Sequence, residues 1–338
     1  MDHLIATIDR GDGTQIVLPL EIVARGPFRV ARFMGGSHAN GNFPAVAGVP
    51  RRAAGSVDLA AISAAVRAQR PDIDLVHLER LTDEQSGAAN PLAGLASMQS
   101  PNIALSVDLA GGFDALLTRA SGKRKRKKHR SQTRKYEAAG GVRRLEATTV
   151  DEVDRLLTAF FAMKRERFRK MGVADVFADA QVQLFFRSLF ADALRSSPPQ
   201  FVLHGIEVGG VLRAISGSSR AGGRLICEFG AIAEDDLVNS SPGEFLFFEN
   251  IREACEQGYA IYDFSVGDEH YKRLWCDIET KHFDLVIPVT LKGRGLAAVI
   301  RLASGIKRFV KSNELIWGLV KRLRKQAAAP QPAADDAD

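Results

Sequence analysis

The chain has 338 residues, a formal net charge of +6, 46% hydrophobic residues and 25% charged residues. These values are typical of a soluble globular protein that is long enough for two domains. No apolar run approaches the ~18 residues of a transmembrane helix, and the first residues lack the features of a signal peptide. We therefore expect a cytoplasmic protein.

The residue pattern gives no support for disulfide or metal chemistry. Cys227, Cys255 and Cys276 are far apart and odd in number, and the seven histidines include no ligand pair such as HExxH. We therefore expect no disulfide framework, no zinc site and no metal-dependent catalysis.

The positive charge is concentrated in one segment, Lys123–Lys135, which holds nine Lys or Arg residues and no acid. Without this segment the chain would be slightly acidic. Three interpretations are open: a solvated linker helix, a contact with an anionic acceptor, and a nucleic-acid site. The segment has no interleaved aromatic residues for base stacking, so we rank nucleic-acid binding last.

The first half of the chain reads as short strands with few helices. A glycine-rich polar loop, Gly35–Pro44, follows the third strand. The predicted elements are strands at 3–9, 15–24 and 28–34, a helix at 57–69, and strands at 72–81 and near 103–109.

The second half shows a clearer order, β-α-α-β-β-β-α-β-α-β. It follows a predicted long helix, Phe113–Ala139, that two glycines end. The elements are a strand at 142–149, helices from Thr149 and at 179–195, three strands from Phe201 to Ala233, a helix at 242–257, a strand at 260–266, a short helix near 269–276 and a strand at 282–290. This order puts a helix N-terminus after a central antiparallel strand and a splayed strand beside it. A pantetheine-sized ligand fits such an arrangement, with its diphosphate on the helix N-terminus.

The helix at 242–257 begins with a sequence that is typical of a helix N-terminus able to bind phosphate. Ser241 is predicted as the N-cap, Pro242 as the first helical residue, and Glu244 as the partner of Ser241 in a capping box. Gly243 leaves bare backbone that a diphosphate can approach closely. The alternative is a plain capped helix without a ligand.

Three strings carry a family resemblance: SSPGEFL at 240–246, DFSVGDEHYKRLW at 263–275, and LLTRASGKRKRKKHRSQTRKYEAAGGV at 116–142. They resemble the CelD/BcsL-type acetyltransferases of the GCN5-related N-acetyltransferase (GNAT) superfamily. Those bacterial proteins are associated with cellulose and other exopolysaccharide synthesis and are distantly similar to Fem-type aminoacyl transferases. The resemblance covers residues from about 4 to 290 and is strongest over 110–285.

The resemblance implies an α+β (mixed α/β) fold of two tandem GNAT-like halves, each a mixed, mostly antiparallel sheet flanked by helices. The N-terminal half is expected to be incomplete, because it begins at what should be its second strand; either its start is truncated or this half is degenerate. The implied organisation is a degenerate half at 1–112, a basic linker helix at 113–141, an acyl-CoA-binding half at 142–290, a basic amphipathic helical extension at 291–326 and a disordered tail at 327–338. The chain departs from simple GNAT enzymes because NSSPGE replaces their R/Q-x-x-G-x-G/A phosphate loop.

Acyl transfer from a thioester needs a base, stabilisation of the oxyanion and a proton for the leaving thiolate. Our candidates are Asp263 as base, Tyr271 as proton donor and Lys272 as a phosphate or oxyanion ligand. A turn cap, a core tyrosine and a solvated lysine are the respective alternatives.

The expected binding residues fall into three groups. Phe229, Gly230 and Ala231 would pair with pantetheine amides, Ser241, Pro242, Gly243 and Glu244 would hold the diphosphate, and Asp268, Glu269 and His38 would contact the acceptor.

The expected function is a GNAT-type acyltransferase that uses acetyl-CoA or a related acyl-CoA and no metal. Its acceptor would be an exopolysaccharide or cell-envelope precursor, either a saccharide or a lipid-linked molecule. The amphipathic helix at 296–325 either lies on the anionic inner membrane surface or packs on the protein body. The alternatives for the whole chain are a non-catalytic GNAT-fold scaffold and, last, a nucleic-acid-binding protein.

Overall fold

The structure is a computed structural model that describes residues 2–36, 41–49, 57–85, 88–95 and 97–312. The chain forms two compact units. Within the described residues, unit 1 takes those from 1–104 together with 280–312, and unit 2 takes residues 105–279. The tail predicted at 327–338 and the predicted acceptor residue His38 lie outside the described residues.

The strands and helices are named here in chain order. The strands are β1 (His3–Asp9), β2 (Thr14–Arg25), β3 (Phe28–Phe33), β4 (Ala45–Gly48), β5 (Leu75–Leu81), β6 (Glu84–Gln85), β7 (Ala88–Ala89), β8 (Met98–Asp108), β9 (Val142–Glu146), β10 (Phe201–Val208), β11 (Val211–Ala221), β12 (Arg224–Ile232), β13 (Ile261–Val266) and β14 (Ile278–Pro288). The helices are α1 (Leu59–Gln69), α2 (Gly112–Arg119), α3 (Gly122–Ala138), α4 (Val150–Met171), α5 (Ala180–Ala193), α6 (Pro242–Glu256), α7 (His270–Arg273) and α8 (Leu291–Ser312).

Unit 1 is built on a mixed sheet with the strand order β1-β2-β3-β5-β14, and β4 also pairs with β2. All of its pairs are antiparallel except β3 with β5. Strand β1 alternates exposed and buried residues, as expected for a strand with one solvated face. Its buried side chains pack with α1 in the core of this unit.

In unit 2 the strand order is β13-β12-β11-β10-β9, and the pairing is again mixed. The three hairpin pairs are antiparallel, and β12 with β13 is parallel. Helices α4 and α5 pack on one face of this sheet, and α3 and α6 pack on the other. A capping box closed by Thr149 and Glu152 starts α4, as its sequence indicates. The predicted fold class, with a mixed and mostly antiparallel sheet in each half, is confirmed.

The compact units differ from the domain boundaries expected from sequence. Strand β14 was assigned to the second half, but it pairs antiparallel with β5 of unit 1 from Phe283 to Pro288. The basic helix was assigned to a linker, but α3 packs within unit 2 against the start of α6. Neither position is visible in a local sequence pattern, because both depend on contacts between residues far apart in the chain.

The prediction of one long helix from Phe113 to Ala139 is wrong. Two helices occur, and the chain turns between them at Ser121, whose φ of 56° is left-handed. This turn requires glycine at position 122. A Cβ atom there would lie only 2.4 Å from the carbonyl oxygen of Leu117 and would clash with it. The close approach of the second helix to the first therefore depends on a residue without a side chain.

Helix α8 covers the described part of the predicted C-terminal extension. Leu296, Ala297 and Ile300 pack on unit 1, whereas Val299 and Leu302 are exposed. Packing on the protein body is therefore confirmed for one face, and membrane contact of the other face stays a prediction. Among the described residues, no helix is long and apolar enough to cross a membrane.

Candidate functional site

The central feature of unit 2 is a gap between two parallel strands, here called the β12–β13 gap. The strands pair at only three positions: Arg224↔Ile261, Leu225↔Tyr262 and Ile226↔Asp263. Strand β12 continues to Ile232 and β13 to Val266 without further pairing to each other. From Glu228 onward the main chain of β12 therefore makes no ladder pair with β13. This splayed pair of strands is the arrangement expected from sequence.

A β-bulge at Glu228 marks the edge of the gap. Gly217 pairs with Phe229 and Ser218 with Cys227, so Glu228 is the extra residue of β12. The hydroxyl of Ser219 donates a 2.6 Å hydrogen bond to the Glu228 carboxylate. Bulges bend a strand and re-aim its side chains.

The predicted pantetheine-binding residues all lie beside the gap. Phe229, Gly230 and Ala231 pair with β11 on one side, and their other side faces the gap. The Phe229 ring packs 4.5 Å from the Phe160 ring of α4 and fixes the wall of the gap there. A Cβ atom added at Gly230 would meet only the Ile215 carbonyl oxygen, at 3.4 Å, so space is open at this position.

Helix α6 starts as predicted with Pro242 in its first turn, but the predicted capping box is wrong. Ser241 has a left-handed backbone with φ 55°, and its side chain makes no capping hydrogen bond. An N-cap that bonds through its side chain needs an extended backbone instead. The Glu244 carboxylate forms an ion pair with Lys128 rather than reaching back to Ser241.

The first turn of α6 can offer an anion the Gly243 N–H and the positive end of the helix dipole. Pro242 has no N–H, and the N–H groups of Glu244 and Phe245 donate to the Ser241 carbonyl, at 3.1 and 3.2 Å. Gly243 packs closely against β12, since a Cβ atom there would lie 2.8 Å from the Ile232 side chain. A substitution at Gly243 would therefore disturb packing as well as any ligand.

Helix α3 braces this helix start. Gln132 donates hydrogen bonds to the Ser240 and Ser241 carbonyls, at 2.8 and 3.1 Å, and the Tyr136 hydroxyl donates to Ser240 at 2.8 Å. The His129 ring stacks on Phe245 of α6 at a centroid distance of 4.5 Å. The basic helix is therefore not fully solvated, and its buried face fixes the predicted diphosphate site.

Asp263, the predicted base, sits where the two strands separate. Its carboxylate accepts a 2.7 Å hydrogen bond from the Ser265 N–H and forms an ion pair with Arg224 at 3.3 Å. The hydrogen bond from the Ser265 N–H is the contact expected of a turn cap, which was the alternative role for Asp263. A carboxylate at the closed end of the gap is also placed to accept a proton there.

Tyr271 and Lys272 follow β13 in α7. Tyr271 is 39% exposed, and desolvation of the covered part of its ring raises the pKa of the phenol above its usual value, so the phenol keeps its proton. The ring stacks on Phe247 with its centroid 5.6 Å away. Lys272 is only 4% exposed, and its ammonium donates to the Val266 carbonyl at 3.0 Å and pairs with Glu269 at 2.9 Å. Its contacts hold the end of β13 in place.

The two described acceptor candidates are engaged in local ion pairs. Asp268 pairs with Arg273 at 2.5 Å, and Glu269 pairs with Lys272. Both carboxylates remain more than half exposed, so a polar acceptor can reach them. Their role in acceptor binding stays a prediction.

Two residues beside the gap were missed by the sequence analysis, Glu228 and Lys164. The ammonium of Lys164 lies 5.7 Å from the centre of the Phe160 ring and 5.9 Å from that of Phe168. Burial lowers the pKa of Lys164. The sequence does contain a signal for Lys164, because it stands between Phe160 and Phe168 at helical spacing, on the apolar face of α4. The bulge that presents Glu228 has no comparable signature.

The three cysteines are unsuited to nucleophilic catalysis. Burial raises the pKa of Cys227 to about 12, that of Cys255 to about 11 and that of Cys276 to about 12. Because the thiolate is the reactive form, these thiols are inert near neutral pH. The site therefore favours direct transfer to the acceptor over a cysteine acyl-enzyme.

One cluster has the composition of a metal site. Among the described residues, Glu146, His204 and Glu253 bring their ligand atoms within 4.8 Å of one another. However, Glu253 pairs with Arg144, and Glu146 lies 3.7 Å from Arg220. Burial lowers the pKa of His204 and keeps it neutral, so the cluster is already balanced in charge. A divalent cation would add uncompensated positive charge, which favours a structural role.

Comparison with known proteins identifies a domain in this part of the chain. Residues 123–273 match the family described as acetyltransferase (GNAT) domain. That segment is less than half of the chain, but it contains β12, β13 and α6 and therefore the whole gap. The protein is thus a transferase with a GNAT acyltransferase domain. No match was found among curated proteins.

Two solved structures share the fold over most of their length. One is the C-terminal domain (DUF2156) of a putative lysylphosphatidylglycerol synthetase from Agrobacterium fabrum, at 12% identity and a TM-score of 0.52, covering 88% of this chain and 87% of that one. The other is FemX, at 12% identity and a TM-score of 0.52, covering 88% of this chain and 90% of that one. At this identity the likeness establishes the fold alone.

Proposed function

We propose that the protein transfers an acetyl or related acyl group from acyl-CoA to an exopolysaccharide or cell-envelope precursor. The observation that carries this proposal is the β12–β13 gap, which ends beside the first turn of α6. The open main chain of β12 can pair with pantetheine amides. The helix start can receive the diphosphate.

The side chains at the gap can serve both proton transfers. The acceptor hydroxyl or amine attacks the thioester carbonyl, and the carbon–sulfur bond then breaks. Asp263, or Glu228 at the bulge, takes the acceptor proton. Tyr271 holds its phenolic proton and can give it to the departing thiolate, which leaves as free CoA.

The resemblance to the CelD/BcsL-type acetyltransferases supports a saccharide acceptor. A lipid-linked acceptor is the other form of the proposal. One structure with this fold is a putative lysylphosphatidylglycerol synthetase, whose named product is a modified phospholipid. The exposed apolar residues Val299, Leu302 and Ile306 of α8 fit contact with an anionic membrane surface.

The first experiment is calorimetric titration of acetyl-CoA and CoA into the wild-type protein and Gly230→Leu. The new side chain would fill the space beside β12 and should weaken binding at least tenfold. Gly295→Leu is the matched control, because its Cβ atom in α8 would meet no atom within 4 Å. It should bind as the wild type does.

Binding of acetyl-CoA would then justify transfer assays with labelled acetyl-CoA and saccharide or lipid-linked acceptors. Absence of binding in a folded wild-type protein would overturn the proposal and favour a non-catalytic GNAT-fold scaffold. Equal affinity in the wild type and Gly230→Leu would remove the gap as the site, even if the protein binds acyl-CoA.

A further inference from the structure

Unit 2 contains a second concave site, formed where α2 ends, α3 begins and the chain leaves α7. It is a cavity of about 240 Å³. Its walls include Leu116, Arg119, Ser121, Arg124, Arg273 and Trp275. We propose that this cavity binds a phosphate group, and we call it the arginine cavity. Its existence does not depend on the proposed acyl-CoA site.

One of the three arginines that line the arginine cavity has no carboxylate partner in the described part of the chain. Arg119 lies 3.5 Å from the Asp277 carboxylate, and Arg273 pairs with Asp268 and Glu279. Arg124 makes no ion pair among the described residues. A concave surface with one sign of excess charge and partly apolar walls concentrates the electrostatic potential. An anion is the ligand that such a cavity would attract.

Two of the arginines are held in place before any ligand arrives. The Arg119 guanidinium donates to the Asp108 carbonyl at 2.6 Å and lies 3.5 Å from the Asp277 carboxylate. Arg273 is fixed between Asp268 at 2.5 Å and Glu279 at 3.0 Å. Pre-organised guanidinium groups lose little side-chain entropy when they bind an anion.

Two residues that line the cavity, Leu274 and Trp275, are held from behind by Lys125. Lys125 is buried, donates to the Leu274 carbonyl at 2.6 Å and lies 4.7 Å from the centre of the Trp275 ring. Helix α3 starts at the cavity, and Ser121 gives it no side-chain cap. The free N–H groups of its first turn add to the positive potential.

The size of the cavity favours a single phosphate group. It is smaller than the ~300 Å³ of typical sites for drug-sized ligands. Arginine forks match the tetrahedral oxygens of phosphate through paired hydrogen bonds. The phosphate could be the 3′-phosphate of CoA or a phosphate on the acceptor. Eight residues of α3 separate Arg124 from Gln132, which contacts the start of α6, so the two sites are about 12 Å apart along the helix.

The test uses Trp275 as a reporter in full-length protein that carries Trp317→Phe, which leaves one tryptophan. Inorganic phosphate should change its fluorescence saturably. Arg124→Gln should weaken this binding about tenfold or more, as expected for loss of a charge-assisted hydrogen bond. Arg134→Gln is the matched control, since it removes the same charge from the exposed surface of α3 ten residues away.

No saturable change with phosphate would overturn the inference, and so would equal weakening by Arg124→Gln and Arg134→Gln. Calorimetry with CoA and dephospho-CoA then distinguishes the 3′-phosphate of CoA from a phosphate on the acceptor. If the 3′-phosphate fills the cavity, the wild type prefers CoA and Arg124→Gln loses that preference. If an acceptor phosphate fills it, the protein saturated with CoA still responds to inorganic phosphate. Failure of CoA binding alone would contradict the proposed function and leave the phosphate result standing.

Discussion

The hydroxyl of Ser265 donates a 2.7 Å hydrogen bond to the carbonyl of Cys227, across the place where β12 and β13 separate. Ser265 is buried and has a left-handed backbone with φ 61°. A side chain thus replaces the backbone ladder at the closed end of the gap. Backbone strain of this kind is costly and persists where the surrounding structure holds it.

Replacing Ser265 with alanine should lower the free energy of unfolding by about 1–3 kcal/mol, because the Cys227 carbonyl loses its partner in a buried site. Urea denaturation measures this change. Ser265→Gly removes the same hydroxyl but tolerates positive φ, so it should be less destabilising than alanine. Wild-type stability of the alanine variant would show that the bond does not hold the strands.

Lys272→Met should reduce stability and activity together, because the ammonium holds the Val266 carbonyl. The expected loss of unfolding free energy is about 1–3 kcal/mol. Denaturation and steady-state kinetics on the same preparations measure both effects. Lys127→Met, at an exposed position of α3, is the control. A large fall in kcat at unchanged stability would instead assign Lys272 to the oxyanion or phosphate.

Asp263→Asn should lower kcat by about 100-fold or more, as expected when a general base is removed, and should leave acetyl-CoA affinity unchanged. Asparagine can still accept the hydrogen bond from the Ser265 N–H. Glu228→Gln is the matched variant at the bulge. A normal rate for Asp263→Asn with a slow Glu228→Gln would assign the base to Glu228, and normal rates for both would exclude the two carboxylates.

Asp284 of unit 1 should make stability depend on pH. Burial raises its pKa from 3.8 to about 6, so the folded protein disfavours the carboxylate. The resulting destabilisation is absent below pH 3.8, grows as the pH rises, and is complete above about pH 6. Asp284→Asn should therefore be more stable than the wild type at pH 7.5, by roughly 1–3 kcal/mol.

The advantage of Asp284→Asn should shrink as the pH falls through 6 towards 4. Urea denaturation at several pH values measures it. The asparagine can still accept the 2.8 Å hydrogen bond from the Arg80 N–H, so packing changes little. A constant difference at all pH values would contradict the titration of Asp284.

Each chain should bind one acyl-CoA. In unit 1 the parallel strands β3 and β5 also separate, after two pairs. There, however, Asn42 lies along β5: its N–H donates to the Arg80 carbonyl at 2.9 Å and its side-chain amide to Glu79 at 2.8 Å. Main chain therefore already lies along β5 where it separates from β3. Calorimetry should give a stoichiometry of one, and a value of two would contradict this reasoning.

The element order of the second half could be predicted because each element has a strong local signal. Helix α4 starts after Thr149, as expected, and a glycine turn separates β10 from β11. The splaying of β12 from β13 followed from that order alone. By contrast, Ser121 interrupts a pattern that looks continuously helical, and its turn depends on packing between Gly122 and Leu117.

The site could be predicted only to the level of elements. Gly230 and the α6 helix start lie where the sequence placed them, because strand and helix order determines them. The ion pair of Glu244 with Lys128 depends on a partner distant in sequence, and the position of Glu228 depends on a bulge, and a single sequence specifies neither. The partners of Lys272 are local, but its burial depends on the packing around it. The left-handed backbone of Ser241 likewise replaces a motif that its residue types favoured.

The high pKa values of the three thiols have a practical consequence for the assay of this protein. At pH 8 a thiol with a pKa of about 11 is ionised in about one molecule per thousand. A disulfide reagent that releases a coloured product on reaction with thiolates should therefore measure the CoA released during turnover. The three cysteines of the folded protein should add little to the absorbance.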